Sequence, residues 1–517
     1  MNIYLFVYIG SLALALMITP AVIRIARRFH IVDAPGVRQM HTRPMSHIGG
    51  VAIFLSTMTL SIYELWFSEA AIARVPISQY FREIGLSADQ SMLWRLRNLF
   101  LAAGFMFMVG LIDDIKTKGL QAWVKFLTQI AAAVLVCAVG IRIKSVVVTD
   151  SITMNFGWLS WPLTLFWIVG ITNAVNLSDG LDGLAGGICA ITCGVVAVFA
   201  AYTGNLAIVI LMLALLGSIT GFLFFNFNPA KIFMGDCGSM FLGFTIASAS
   251  VLCFSKTSAL VGLALPVATL SVPIFDTFFS ILRRFLERRS IFSADRSHFH
   301  HRLIDLGLTQ RQAVTAIYGI TLLAAGLGML MIAASGIQVL IILLCILLLQ
   351  LLIFHVVGSV RLEQIIAAMQ KRYKIIHREH EERKSFEEAA LYFRRAETFE
   401  QWWQAVSTAA DKMEFWMVDL PLVNRDGTSR ALNWRYNGHD PYPNREGLMQ
   451  VHVPVHDRRS GSSLHLKIEL YKNGSLESAG RRVALFTRLI DEHDINNLRI
   501  KRQKLENAGG DRAPLYL

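Results

Sequence analysis

Carboxylates, amides and histidines gather in five short stretches of this chain: LIDDIKTK at 111–118, NAVNLSDGLDGLAGG at 173–187, NFNPAKIFMGDCGS at 226–239, PIFDT at 273–277 and DRSHFHHRL at 295–303. They stand at the edges of membrane-length apolar runs, where ionisable groups are costly and usually mark function. Asp113, Asp114, Asp179, Asp182 and Asp236 supply carboxylates that can share one site. Two bare carboxylates about 4 Å apart repel by roughly 4 kcal/mol at an effective dielectric near 20. A gathering of several therefore needs cations, protons or separation. The surrounding ligands are oxygen-rich and include no thiolate set, which favours magnesium, with manganese as the alternative, over zinc.

Asn173, Asn176, Asp179 and Asp182 recur every third residue and would drift slowly around one face of a continuing helix. Gly180 and Gly183 point instead to a break whose backbone amides can approach a phosphate. Helix capping would account for one or two of these four polar residues, not all of them. In MGDCGS, Gly235 and Gly238 flank Asp236 just before an apolar run. A plain tight turn explains that motif by itself, but a glycine-flanked acid at a helix N-terminus can also place a metal where helix donors meet phosphate. His298, His300 and His301, with Arg296 and Arg302, form a compact cationic group suited to a diphosphate leaving group. Phe233, beside Asp236, is placed to stack on a base. The loop carrying Asp33, Pro35, Arg38, His41, Arg43, Pro44, Gly49 and Gly50 reads equally as a connector or as a tight loop beside the site.

The elements that must position these residues are membrane helices. The chain has 517 residues, of which 54% are hydrophobic, with mean hydropathy +0.48. That excludes an ordinary soluble protein of this size. Eleven spans are expected, near 3–23, 47–67, 97–113, 122–140, 159–175, 183–202, 205–225, 239–255, 258–282, 312–334 and 336–357. The first reads as a retained span, because no basic residue precedes it and Arg24, Arg27 and Arg28 follow. Arginines and lysines cluster after the first, third and ninth spans, so those exits are expected on the cytoplasmic side, with the N-terminus outside and the C-terminus inside. Arg74, Arg82 and Arg95, in the mixed-charge stretch at 68–96, run against this bias. The acidic pair, the Asn/Asp run, GDCGS and the histidines follow spans three, five, seven and nine, so all share the cytoplasmic face. Asp276 falls inside the ninth span, and the residues around it suggest no role.

The net charge of +12 then belongs to topology and anionic lipid rather than to nucleic acid. None of the six cysteines forms a C-x-x-C pair, so neither a zinc site nor a disulfide framework is indicated. IRIKSVVVTD and SITMNFG alternate like a short outer hairpin. The expected fold class is an all-α polytopic membrane protein of about eleven transmembrane helices with a small α+β cytoplasmic C-terminal domain. Its parts are a transmembrane domain at 1–357, a charged helical connector at 358–415, an α+β domain at 416–506 with a closing helix near 478–504, and a disordered tail at 507–517. Together the polar residues suit metal-assisted phosphoryl-type transfer between a lipid entering from the bilayer and a charged soluble donor.

Several motifs carry a family resemblance. They are D-x-P-x-x-R…H-x-x-P…GG (Asp33 to Gly50), GLIDD (Gly110 to Asp114), Lys125 with Gln129, N-x-x-NLSDGLDGLAGG (Asn173 to Gly187), FMGDCGSMFLG (Phe233 to Gly243), VPIFDT (Val272 to Thr277) and DRSHFHHRL (Asp295 to Leu303). The chain over roughly 1–355 resembles the polyprenyl-phosphate N-acetylhexosamine-1-phosphate transferases of glycosyltransferase family 4. These bacterial enzymes start O-antigen, enterobacterial common antigen and teichoic acid synthesis. The resemblance implies magnesium-dependent transfer of a sugar 1-phosphate, GlcNAc 1-phosphate first, from a UDP-N-acetylhexosamine to undecaprenyl phosphate at the inner membrane, releasing UMP. It implies Asp113 as the base on the lipid phosphate, Asp114 and Asp179 as organisers of metal or phosphate, and Asp236, with Asp179, as the metal ligand. Asp182 and Phe233 would lie near the nucleoside. His298, His300, His301 and Arg302 would hold the diphosphate or sugar, and Asn173, Asn176 and Lys125 join the substrate-binding set. Attack by the lipid phosphate and an aspartyl-phosphate intermediate both remain open. Gln39, Ser46 and His47 depart from the family's usual first loop. The shortest members lack the extension from 360 onward, for which a sensing, docking or stabilising role is open. Partners are the bilayer and the two substrates, with a homodimer and a cytoplasmic partner of the C-terminal domain as further alternatives. The rival readings are a carrier of lipid-linked sugars with an acidic cavity and a membrane scaffold. A carrier predicts charge near helix midpoints, whereas here the charge sits at helix ends.

Overall fold

Apolar runs bounded by arginine, glycine and proline become helices in the computed structural model, which describes residues 3–31, 45–71, 90–116, 119–149, 152–253, 259–287, 290, 298–334, 336–358, 362–423, 429–436, 448–456, 463–471 and 475–493. Two compact units, Met1–Ile365 and Ile366–Leu517, divide the chain. In the first unit the helices are α1 (Ile3–Arg28), α2 (Gly50–Ala71), α3 (Gln90–Ile115), α4 (Ala122–Ala138), α5 (Ser160–Ser178), α6 (Leu184–Tyr202) and α7 (Leu206–Asn226). They continue with α8 (Gly235–Leu252), α9 (Ala259–Thr269), α10 (Ser271–Leu286), α11 (Phe299–Asp305), α12 (Gln310–Ala333) and α13 (Ile337–Val356). The expected hairpin is present as β1 (Ser145–Thr149) against β2 (Ile152–Asn155), antiparallel, with Val146 opposite Met154.

Among the described residues, eight helices are long and apolar enough to cross a membrane, or nine if α9 and α10 form one bent span. Eleven were expected. The difference lies in the segments at 47–67 and 122–140, whose described apolar helices, Gly50–Tyr63 and Ala122–Ala138, are shorter. The run at 258–282 is also not one straight helix, because α9 and α10 meet at 75°. Pro273 has no amide to donate to Thr269, and its ring crowds that carbonyl, so the helical ladder breaks between them.

The helix α8 is the centre of the bundle: 83% of its residues are buried, against 22% in the most apolar stretch of α13. Small residues make this burial feasible. A Cβ on Gly243 would come within 2.8 Å of Thr172 Cα, and one on Gly110 within 2.6 Å of Asp236 O. Glycine at these points lets α5 and α3 lie directly against α8, as small residues do between membrane helices. The two polar ends of α3 and α5 thereby reach the first turn of α8.

The second unit holds α14 (Leu362–Arg395), whose first residues belong to the first unit, with α15 (Phe399–Lys412) and α16 (Leu476–Glu492). Its strands β3 (Phe415–Val423), β4 (Ser429–Arg435), β5 (Leu448–His456) and β6 (Ser463–Tyr471) form an antiparallel sheet ordered β4-β3-β6-β5. Trp402, Phe415, Val418, Ile468, Phe486 and Leu489 build its core. Arg482, 4% exposed, donates from its two terminal nitrogens to carbonyls, Met413 O at 2.9 Å and Tyr471 O at 3.0 Å. The closing helix ends at Glu492; the stretch expected to carry it to 504, and the tail at 507–517, lie outside the described residues.

Candidate active site

Asp113 and Asp114 stand in the last turn of α3, where the helix dipole opposes negative charge. Both find donors elsewhere. Asp114 Oδ1 accepts the Asp236 amide and Oδ2 the Cys237 amide, each at 2.9 Å. Its carboxylate thus sits on the unpaired amides that open α8, the favourable place for an anion. His47 Nε2 lies 2.5 Å from the Asp114 carbonyl. Gly235, at φ +75°, turns the chain into α8, and that left-handed conformation favours glycine. Just upstream, Gly49 and Gly50 donate to Phe233 O at 2.9 Å and Met234 O at 2.8 Å, and the Phe233 amide donates to Ser46 O at 2.8 Å. Phe233 itself is half-buried.

Asp236 is the meeting point. Lys125, in the first turn of α4, donates from Nζ to Asp236 Oδ2 at 2.7 Å and to Asp113 Oδ2 at 3.1 Å. Asn176, near the end of α5, donates from Nδ2 to Asp236 Oδ1 at 3.0 Å and to Ser239 Oγ at 2.8 Å. One turn earlier, Asn173 Nδ2 donates to Gln129 Oε1 at 2.5 Å. The Leu120 amide donates to Asp113 Oδ1. Oxygens of Asp113, Asp114 and Asp236, all half-buried, lie within 4.8 Å of one another. Among the described residues, one ammonium against three carboxylates leaves this group short of positive charge. Hard oxygen donors at this spacing fit magnesium or manganese.

Asp179 lies in the turn between α5 and α6. Enclosure by the surrounding helices, followed by the charges of Asp236, Asp114 and Asp182, pushes its carboxyl up to about 8. It feels the acidic group but is not one of the three residues within ligand distance of each other. Asp182 is held elsewhere: its Oδ2 accepts Asn228 Nδ2 at 2.9 Å and the Ala230 amide at 3.1 Å. The same turn is pinned by Gly183 N donating to Asn226 Oδ1 at 3.0 Å and by Tyr318 OH donating to Gly183 O at 2.5 Å.

The histidines form a second cluster. The rings of His298 and His300 are parallel within 4°, with centroids 5.6 Å apart, and His301 lies 4.4 Å beyond. A Cβ on Gly180 would stand 2.7 Å from His300 Nε2, so the turn after α5 touches this cluster directly. Burial holds the His300 imidazole down to about 4; the Asp276 charge opposes this, and His301 and His298 add to it. Arg302 Nη1 lies 3.9 Å from Asp305 Oδ2. Asp33, Pro35, Arg38, His41, Arg43, Pro44, Asp295 and Arg296 lie outside the described residues.

Some participants went unassigned from sequence. Asp276 contacts His298 and the Phe299 amide; the sequence placed it in the VPIFDT motif but suggested no role for it. Asn228 lay in the NFNPAKIFMGDCGS stretch without a role of its own, and Tyr318 lay in no motif. Residues 96–254 match the description Glycosyl transferase family 4. The chain is 40% identical over 313 residues to a probable undecaprenyl-phosphate N-acetylglucosaminyl 1-phosphate transferase of Bacillus subtilis (strain 168), covering 60% of this chain and 80% of the relative. It is 32% identical to a decaprenyl-phosphate N-acetylglucosaminephosphotransferase of Mycolicibacterium smegmatis, covering 57% of this chain and 73% of the relative. A phospho-N-acetylmuramoyl-pentapeptide-transferase of Listeria monocytogenes is 34% identical, over 44% of this chain and 72% of its own.

Proposed function

We propose, from the premise that this chain belongs to glycosyl transferase family 4, that it transfers a sugar 1-phosphate from a UDP-N-acetylhexosamine to undecaprenyl phosphate, with GlcNAc 1-phosphate the first candidate. A phosphate oxygen of the lipid attacks the sugar-bearing β-phosphorus. The bond from that phosphorus to the bridging oxygen breaks, and the bridging oxygen leaves on UMP. The observation that carries this reading is the convergence on Asp236 of Lys125 from α4, Asn176 from α5 and Asp114 from α3. It is a charge-dense, half-buried centre at the ends of membrane helices.

Asp236 would hold magnesium, with Asp179 close enough to feel its charge. When bound, that ion neutralises charge on the donor diphosphate. Asp114 already accepts two backbone amides, so its part is to fix the Asp236 backbone. Asp113 takes the proton of the lipid phosphate, and Lys125 turns from the carboxylates toward the transferred phosphate. His298, His300, His301 and Arg302 receive the diphosphate, while Phe233 and Asp182 border the nucleoside. The arginine bias supports a multi-pass chain in the bacterial inner membrane with this centre on the cytoplasmic face.

The test is product formation by purified protein given undecaprenyl phosphate, magnesium and a panel of UDP-N-acetylhexosamines. The expected result is a lipid-linked sugar diphosphate from at least one donor. Folded protein that forms it from none contradicts the proposal.

A further inference from the structure

Asp276 is a titratable group that the reaction as described leaves unused. It is 8% exposed and sits in the second turn of α10, just past the 75° break from α9. A carboxylate buried among membrane helices is expensive unless its oxygens are paired. Both are: Oδ2 lies 3.0 Å from His298 Nδ1, and Oδ1 accepts the Phe299 amide at 2.8 Å. Capping Phe299 needs only one oxygen, which asparagine or serine would supply equally well. The contact with His298 is what the second carboxylate oxygen adds.

That contact settles which nitrogen of His298 is spoken for. Beside a carboxylate, Nδ1 carries its proton and donates, and the ring plane is fixed. Nε2 remains for a ligand. His298 is itself 7% exposed, and its ring lies parallel to that of His300, whose Nε2 borders Gly180 of the Asn/Asp run. One chain of contacts therefore runs from Asp276 through the histidines to the turn carrying Asp179. We propose that Asp276 is a positioning residue for the transfer proposed above, on which this inference rests: by occupying His298 Nδ1 it presents Nε2 to the diphosphate of the donor nucleotide.

Steady-state kinetics on the full chain with the Asp276→Asn, His298→Ala and double variants test this. Asparagine keeps an oxygen for the Phe299 amide but removes the charge that orients the ring. Loss of a supporting partner of this kind costs about tenfold to a hundredfold. The expected result is a fall of that size in kcat/KM for the UDP-sugar, with KM for undecaprenyl phosphate within about twofold of wild type. The double variant should be no slower than His298→Ala alone, because Asp276 acts through that ring. Losses that multiply, or an equal rise in KM for the lipid, overturn the inference while leaving the transfer reaction standing. A wild-type protein that turns over no UDP-sugar overturns both. If Asp276→Asn does not fold, His298→Asn carries the test, since its amide nitrogen takes the place of Nδ1 and keeps Asp276 paired. That variant should remain folded and lose at least tenfold in donor turnover; wild-type turnover would overturn the proposal.

Discussion

Lys125 stands where two carboxylates would otherwise repel, 2.7 Å from Asp236 and 3.1 Å from Asp113. It is a built-in counter-charge for a place that a divalent ion would also neutralise. Lys125→Met should therefore leave the acidic group uncompensated and make the fold more dependent on metal. The expected outcome is a larger rise in Tm on adding magnesium for the variant than for wild type, following binding linkage. An equal rise would show that ammonium and metal do not share these carboxylates. His300 gives a second prediction. Its imidazole is held down to about 4, whereas an unfolded histidine titrates near 6.5. Between those values the unfolded chain binds more protons, so stability is full above about pH 6.5 and is lost as pH falls toward 4. Thermal melts from pH 7 to 4 should show this slope in wild type and a shallower one in His300→Asn; identical slopes would contradict it. At this scale the sequence displayed which residues were polar but not their partners. Asp114 read as an organiser of metal or phosphate, yet its oxygens accept the first amides of α8. Asp276 and His298 are 22 positions apart with no shared motif, and only the tertiary fold brings them together.

The helices α3, α5 and α8 bring the acids together through close backbone approach. Gly110 is the tightest point for α3, because a Cβ there would stand 2.6 Å from Asp236 O and Cys237 Cα. Backbone cannot move aside as a flexible side chain can, so Gly110→Ala should push α3 from α8. We expect destabilisation of about 1–3 kcal/mol, as for other overpacked positions, and at least a tenfold loss of turnover as Asp113 and Asp114 shift. Unfolding and activity measured on one preparation check both, and unchanged activity would refute the close-approach account. Apolar length made most of the helices readable in advance. The 75° break between α9 and α10 was missed because hydropathy runs straight through it; Pro273 was its signal, through the missing donor to Thr269.

Every residue proposed for the reaction lies within Met1–Ile365, and the second compact unit, Ile366–Leu517, has its own core of Trp402, Phe415 and Phe486. Removing residues 366–517 should therefore leave transfer within about threefold of the full chain when equal amounts of folded protein are compared in membranes. Complete loss would assign the second unit a part in the reaction. The change of character after residue 357 was readable from charge density and strand-like alternation, whereas the sheet order β4-β3-β6-β5 is a matter of long-range pairing that local pattern does not encode. For the molecule as a whole, the most direct test is UMP release from UDP-GlcNAc and undecaprenyl phosphate, with and without magnesium, by wild type and Asp236→Ala. Metal-dependent UMP release by wild type, with none from the folded variant, is the predicted result. Equal release by the two proteins, or release that ignores both the metal and the lipid, would contradict an acidic centre built around Asp236.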